Sequence, residues 1–201
     1  MNKKTFVITG ANSGLGRGAA LLLAKRGANV VMLCRNHERG EAARSEIIAQ
    51  SGNPDVELIL ADLGSQHSVR SFVRQFKQSH DQLHGLLNCA GILRPQRHVT
   101  EDGLETMFAV NYLGHFLLTN LLFEPLQAGS PSRVITVSGS GHKVGVEGGQ
   151  SAAIDFDDLQ GDKNFDIQKA SKQDVCIWIV PRFLVANQPS AGMADEHQTI
   201  E

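Results

Sequence analysis

The feature of this 201-residue chain that most restricts its fold is a glycine-rich turn near the N-terminus. An apolar run ending at Thr9 is followed by Gly10, Gly14 and Gly16, with G-x-x-x-G-x-G spacing, and then by the apolar run 19–24. This order predicts a strand, a tight turn and a helix. Glycine adopts backbone angles that a side chain would obstruct, and the free N–H groups at a helix start stabilise phosphate. The turn is therefore predicted to bind a pyrophosphate; an ordinary glycine-rich turn is the alternative.

Composition narrows the classes of function. The length and the 41% hydrophobic content fit one globular domain. A formal charge of -2 provides no broad basic field, so a small ligand is expected and nucleic acid is not. Cys34, Cys89 and Cys176 are odd in number and widely spaced, which predicts reduced thiols and no metal site. With neither a leader peptide nor an apolar run long enough for a membrane span, the expected location is the cytoplasm.

The residue after the second predicted strand indicates which dinucleotide would bind. Strand 28–34 ends at Arg35, about 20 residues beyond the turn, where an acid binds the ribose of NAD and an arginine accommodates the 2′-phosphate of NADP. Arg17, directly after the last glycine, is a candidate for a second positive charge at that phosphate. The two residues predict NADP(H); solvated surface arginines are the alternative.

The rest of the chain continues the alternation of strands and helices. Helix 38–51, strand 56–61, a helix capped by Ser65, strand 84–87, helix 104–126 and strand 133–137 follow in order. The helix after Ser65 is expected to bury the side chains at helical spacing, Val69, Phe72, Val73 and Phe76. Five strands in this order predict an α/β fold with a right-handed, doubly wound parallel sheet.

Three polar residues within these predicted elements are candidates for structural or functional roles. Asp62 follows a strand, where its carboxylate is expected either to meet an adenine amino group or to hold a turn. Asn111 lies among apolar residues in the long helix, which predicts a hydrogen-bonded structural or catalytic role. His115 is interpreted as a packed core histidine in preference to a base, because no neighbour in sequence is an orienting carboxylate.

These residues together resemble the short-chain dehydrogenase/reductase family, and within it the retinol-dehydrogenase-like branch. The likeness covers residues 3 to about 170. Its motifs are Thr9-Gly10-x-x-x-Gly14-x-Gly16, Asp62-Leu63, Asn88-Cys89-Ala90-Gly91, Asn111 within residues 110–115, the strand end 134–138 and the run 154–159. The resemblance implies a Rossmann-like NADP-binding domain over residues 1–170 and hydride transfer between NADP(H) and a lipophilic small-molecule carbonyl or alcohol.

The resemblance also assigns the cofactor contacts to the glycine turn and to the strand ends. They are Gly10, Asn12, Ser13, Gly14, Leu15, Gly16, Arg17, Arg35, Asp62, Leu63, Asn88, Ala90 and Gly91.

The catalytic positions that the resemblance implies are Asn111, Ser138 and Lys172. In the family, a serine and a tyrosine bond the substrate oxygen, a lysine four residues after the tyrosine lowers its pKa, and the asparagine positions a water. Here Gln168 stands four residues before Lys172, and either Ser138 or a nearby serine would have to supply the serine after a local shift. Glutamine has no proton of suitable pKa to donate, so general acid catalysis is expected to fail.

Residues 171–201 depart from the family, and its sixth and seventh strands are missing or replaced. The run 175–180 is predicted to form a makeshift strand beside the fifth one, ended by Pro181. Three hypotheses follow: an impaired NADP(H)-dependent oxidoreductase, a catalytically silent NADP(H)-binding protein, or a decayed fragment that does not fold independently. Self-association into a homo-oligomer stays open.

Overall fold

The computed structural model describes residues 3–138, 155–163 and 165. Gln168, Lys172, the predicted strand over 175–180 and the whole tail 171–201 lie outside the described residues. Among the helices of the described part, none is long and apolar enough to cross a membrane.

Five parallel strands form the centre of the fold, as the sequence predicts. They are β1 Thr5–Thr9, β2 Asn29–Cys34, β3 Val56–Leu60, β4 Gly85–Asn88 and β5 Arg133–Thr136. Their order in the sheet is β3-β2-β1-β4-β5, so β1 is central and Ile8 lies between Met32 and Leu87. The strand order reverses direction next to β1, which places a crevice outside the carboxyl ends of β1 and β4.

Helices cover both faces of the sheet. They are α1 Gly14–Lys25, α2 His37–Ser51, α3 Gln66–Ser79, α4 Thr106–Phe108, α5 Gly114–Leu121 and α6 Phe123–Ala128. One core cluster joins β2 with α1 and α2 through Met32, Ala24 and Ile47. The other joins β4 with α3 and α5 through Leu86 and Leu118, among others. The doubly wound α/β prediction is therefore confirmed.

Helix α3 agrees closely with its sequence pattern. The four apolar residues predicted to face inward are all buried, and Ser65 caps the helix by accepting a hydrogen bond from the backbone N–H of Ser68. Helical periodicity is a local property, which explains why it is predictable without tertiary information.

The long helix predicted over 104–126 is wrong as a single element. It begins at Thr106, widens into a π-helical turn at Ala109–Leu113 and breaks at Leu122 before α6. The second break is explained by Pro125, which has no N–H and lies in the first turn of α6, where no helical bond requires one. The π turn contains Asn111, so the irregularity falls on a residue that the sequence singles out.

A buried asparagine, Asn53, connects the last turn of α1 and the start of β2 to the start of β3. The side-chain nitrogen of Asn53 donates to the carbonyls of Ala24 and Ala28 at 3.0 and 2.8 Å, and its oxygen accepts from the N–H of Asp55 at 3.0 Å. Alanine at this position would leave these backbone groups without their partner. We expect Asn53→Ala to lower the free energy of unfolding by about 2 to 4 kcal/mol in urea denaturation.

Asn120 provides the matched control for this prediction. Its side chain is exposed, and within the described part of the chain it donates to the Phe116 carbonyl of its own helix. Asn120→Ala should change stability by less than about 0.5 kcal/mol. Equal losses in the two variants would show that the Asn53 contacts do not matter.

Candidate functional site

The carboxyl ends of β1 to β4 surround an open cavity of about 450 Å³. It is lined by Gly10, Asn12, Ser13, Gly14, Leu15, Gly16, Leu33, Cys34, Arg35, Asn36, Arg39, Ala61, Asp62, Leu63, Cys89, Ala90, Gly91, Ile92, Val110 and Val137. The structure thus brings together around one cavity every predicted cofactor contact except Arg17 and Asn88.

The glycine turn forms the floor of the cavity. Gly10 and Gly14 have positive φ angles of 66° and 51°, which side chains of L-residues rarely adopt. A Cβ on Gly16 would lie 2.5 Å from the Gly10 carbonyl oxygen, whereas a Cβ on Gly14 would meet nothing within 4 Å. The turn therefore packs tightly against α1 and leaves its other side open toward the cavity.

Arginines and a carboxylate form the wall next to β2. Arg35 Nη1 lies 3.9 Å from Asp62 Oδ2, while Asp62 Oδ1 accepts from the N–H of Gly64 at 2.8 Å. Asn36 caps α2 by accepting from the N–H of Arg39, so Arg39 lies in the first turn of a helix that begins at the cavity. Asp62 holds a turn through its Oδ1 atom and also lines the cavity, while its contact with an adenine amino group stays a prediction.

Two predicted cofactor contacts, Arg17 and Asn88, do not line the cavity. Arg17 lies apart from the cavity and pairs with Glu46 on α2 at 3.1 Å. Asn88 is buried at 1% exposure, because its side chain turns inward to Thr119 and Thr136 at 3.3 and 3.4 Å. In the structure both side chains therefore have protein partners outside the cavity.

Thr9 connects the turn to the loop after β4. Its hydroxyl oxygen accepts hydrogen bonds from the backbone N–H groups of Cys89 and Ala90, both at 2.9 Å. The approach is close enough that a Cβ on Gly10 would lie 2.9 Å from the Cα of Ala90. These contacts connect the glycine turn to the loop after β4, and both line the cavity.

Asn111 and His115 occupy the helix on the far side of this loop. The Asn111 amide pairs with the backbone of Ile92 in both directions, at 2.8 and 2.9 Å. His115 is 2% exposed and lies 2.9 Å from the Thr9 hydroxyl through Nε2 and 3.3 Å from the Asn111 carbonyl through Nδ1. Burial lowers the pKa of His115 to about 4, so the ring is neutral at pH 7. His115 is therefore a packed core histidine, as the sequence predicts.

The cysteines of the cavity are protonated thiols. Burial raises the pKa of Cys34 to about 11. Hydrogen bonds from the backbone of Ala11 and Asn12 lower this pKa, but their effect is smaller than that of burial. Burial also raises the pKa of Cys89. Because the thiolate is the nucleophilic form, neither cysteine is suited to covalent catalysis at pH 7.

The predicted catalytic residues are only partly described. Ser138 is exposed and follows Val137, which lines the cavity and donates its N–H to the Asn88 carbonyl at 2.9 Å. Lys172 is outside the described residues. The catalytic roles of Asn111, Ser138 and Lys172 therefore stay predictions.

Sequence reasoning missed Arg39 and Asn36 as parts of the site. A signal existed, because asparagine is a preferred N-cap residue and Asn36 precedes a helix-forming run. The roles of Thr9 and His115 have no local signal, since their hydrogen bond joins residues 106 positions apart.

Comparison with known proteins agrees with this geometry. The family model described as short chain dehydrogenase matches residues 4–151. The chain is 44% identical over 168 residues to retinol dehydrogenase 13 of Mus musculus, covering 83% of this chain and 48% of that protein. It is also 44% identical over 164 residues to retinol dehydrogenase 12 of Bos taurus, covering 82% and 50% of the two chains. The chain thus spans about half the length of these curated relatives.

Solved structures share the fold. A crystal structure of a protein from Mycobacterium paratuberculosis is 36% identical, with a TM-score of 0.71 over 86% of this chain and 57% of that one. A short chain dehydrogenase from Escherichia coli CFT073, solved with NADPH, is 21% identical, with a TM-score of 0.66 over 88% of this chain and 67% of that one.

Proposed function

Because the chain belongs to the short-chain dehydrogenase family, and within it to the retinol-dehydrogenase-like branch, we propose that its cavity binds NADP(H). The observation that carries the proposal is that the glycine turn and two arginines line the same cavity. The reaction that this site serves is hydride exchange with a lipophilic carbonyl or alcohol, and we propose that it is impaired in this chain.

The residues of the turn fit a dinucleotide. Gly14 leaves open space where a side chain would stand, and Gly16 keeps α1 against the turn. The pyrophosphate would be held by backbone N–H groups of the turn and of the first turn of α1, where the helix dipole favours a negative charge. Bound NADPH would supply the hydride.

The wall beside β2 would hold the adenosine end. Arg35 and Arg39 offer positive charge to the 2′-phosphate, and Asp62 offers a carboxylate to the adenine amino group. The Arg35 and Asp62 side chains are partly exposed and 3.9 Å apart, so separating them costs little compared with a charge-assisted bond to phosphate. In this proposal Arg39, and not Arg17, is the second positively charged residue at the 2′-phosphate.

A second candidate is a catalytically silent NADP(H)-binding protein. The observation that favours it is Gln168 at the position where the family resemblance calls for tyrosine. Such a protein would bind the cofactor through the same turn and arginines without a group that protonates the substrate oxygen.

The cofactor prediction is tested by titrating the full chain with NADPH and with NADH. A hydrogen bond to a charged partner contributes about 1.5 to 3 kcal/mol, so Arg35→Ala should weaken NADPH binding by about 10- to 150-fold. NADH affinity should change little, because that cofactor lacks the 2′-phosphate. Intrinsic fluorescence of bound NADPH gives the Kd, and a thermal melt with and without cofactor shows that each variant is folded.

Arg74 is the matched control, because it is an exposed arginine on α3 that does not line the cavity. Arg74→Ala should leave both Kd values unchanged. Equal affinities of the wild type for NADPH and NADH would show that Arg35 does not select the cofactor. A chain that neither melts cooperatively nor binds NADPH would favour the decayed-fragment hypothesis.

A further inference from the structure

A buried polar cluster lies directly behind the proposed cofactor cavity. It consists of Thr9 at the end of β1, the N–H groups of Cys89 and Ala90, and His115 on α5. Thr9 is completely buried and His115 is 2% exposed, so these polar groups depend on one another for their hydrogen bonds.

The hydrogens of this cluster can be assigned by counting donors and acceptors. A hydroxyl group has one proton and two lone pairs. Both lone pairs of Thr9 receive backbone N–H groups at 2.9 Å, so its proton must point to an acceptor. The His115 Nε2 atom at 2.9 Å is better placed for it than the Leu87 carbonyl at 3.5 Å. Nε2 is then unprotonated, and the neutral ring carries its proton on Nδ1, facing the Asn111 carbonyl at 3.3 Å.

The cluster controls the distance between two cavity walls. Gly10 directly follows Thr9, and Ala90 packs against Gly10 so closely that no side chain would fit between them. Gly10, Cys89 and Ala90 all line the cavity. If the Thr9 O–H group lost this acceptor, it would rotate toward another one, such as the Leu87 carbonyl at 3.5 Å. The oxygen lone pairs would then turn away from the two N–H groups, and the loop after β4 would lose part of its anchor.

We propose that His115 is a positioning residue of the cofactor cavity, which as the neutral Nδ1–H tautomer accepts the Thr9 proton and so keeps both Thr9 lone pairs on the loop after β4. The effect on cofactor binding rests on the proposed function. The tautomer of His115 rests on the hydrogen-bond geometry alone. His115 does not line the cavity itself, and it acts through Thr9. The low pKa that burial gives the ring keeps this tautomer neutral at pH 7.

The tautomer is tested without any cofactor. Nitrogen-15 NMR of the full wild-type chain at pH 7, with His115 assigned by comparison with His115→Gln, should show an unprotonated, pyridine-type Nε2 and a protonated Nδ1. A protonated Nε2 would overturn the inference whatever the chain binds.

The positioning role is tested by two variants with amide side chains. Each variant keeps only one of the two hydrogen bonds that the imidazole ring makes to Thr9 and Asn111. The longer amide of His115→Gln can place an oxygen near the Nε2 position and accept from Thr9, whereas the shorter amide of His115→Asn reaches only toward the Asn111 carbonyl. We expect His115→Gln to keep the NADPH Kd within about threefold of the wild type and His115→Asn to raise it about tenfold or more. Equal Kd values in the two variants would overturn the role.

Thermal melts of both variants separate this role from stability, because both shorten the buried side chain. His80→Gln is the control: His80 pairs with Glu57 at 2.9 Å, away from the cavity, and its replacement should leave the Kd unchanged. If the wild type binds no NADPH, the proposed function fails. The inferred tautomer of His115 is then tested by the NMR measurement alone. If the wild type binds and the two variants bind equally, only this inference fails.

Discussion

Replacing Gly16 by alanine is expected to weaken NADPH binding by about 5- to 150-fold. The added Cβ would lie 2.5 Å from the Gly10 oxygen and 2.9 Å from its carbonyl carbon, which are backbone atoms that no rotamer change can move aside. The start of α1 would have to withdraw from the turn, and the N–H groups proposed to hold the pyrophosphate would separate. Overpacking of this kind costs about 1 to 3 kcal/mol, and here the cost falls on the geometry that binds the ligand.

The same helix supplies the control. Gly18 is exposed on α1, and a Cβ there would meet nothing within 4 Å. Gly18→Ala should bind NADPH as the wild type does and gain about 0.5 to 1 kcal/mol of stability, because alanine favours the helix. Fluorescence titration and thermal melts of both variants make the comparison. NADPH binding by Gly16→Ala within threefold of the wild type would show that the turn is not the binding element.

The second large effect expected is NADPH binding without substantial turnover. Gln168 occupies the position at which the family resemblance requires a tyrosine, and glutamine cannot donate a proton to a developing alkoxide. General acid catalysis typically contributes about 10² to 10⁴-fold, so turnover should fall short of that of an intact relative by at least this factor.

The measurement is NADPH oxidation against a panel of retinal-like, aromatic and aliphatic carbonyls, run beside a titration of bound NADPH. The Gly16→Ala chain gives the background rate without a functional binding turn. Robust oxidation by the wild type that Lys172→Ala abolishes would contradict the prediction and show an intact active site. Binding with a rate equal to the background would agree with the silent NADP(H)-binding candidate.

The sequence allowed much of the site to be predicted because the site is built at the ends of strands. Gly10 and Arg35 directly follow β1 and β2, and Asp62 comes two residues after the end of β3. In a parallel sheet all such ends meet at one edge. The three residues accordingly line one cavity. Their positions after successive strands therefore predicted that they would lie close together in the fold.

The differences between the sequence predictions and the structure have a common cause. Arg17 and Asn88 lie in the correct segments, but a side chain's direction depends on its neighbours in space. Arg17 points to Glu46 on another helix, and Asn88 turns inward to two threonines. The π turn around Asn111 and the break at Leu122 likewise interrupt a pattern that is continuous in sequence.

The sequence by itself determined the five-strand α/β order, the glycine turn, the inward face of α3 and the cation after β2. These follow from local periodicity, from the conformational freedom of glycine and from the chain order of strands and helices. Only the tertiary structure decided that Arg39 and not Arg17 faces the cavity, and that Thr9 receives two N–H groups while His115 takes its proton. Those hydrogen bonds connect residues 80 to 106 positions apart, and no short-range pattern specifies which buried polar groups will meet.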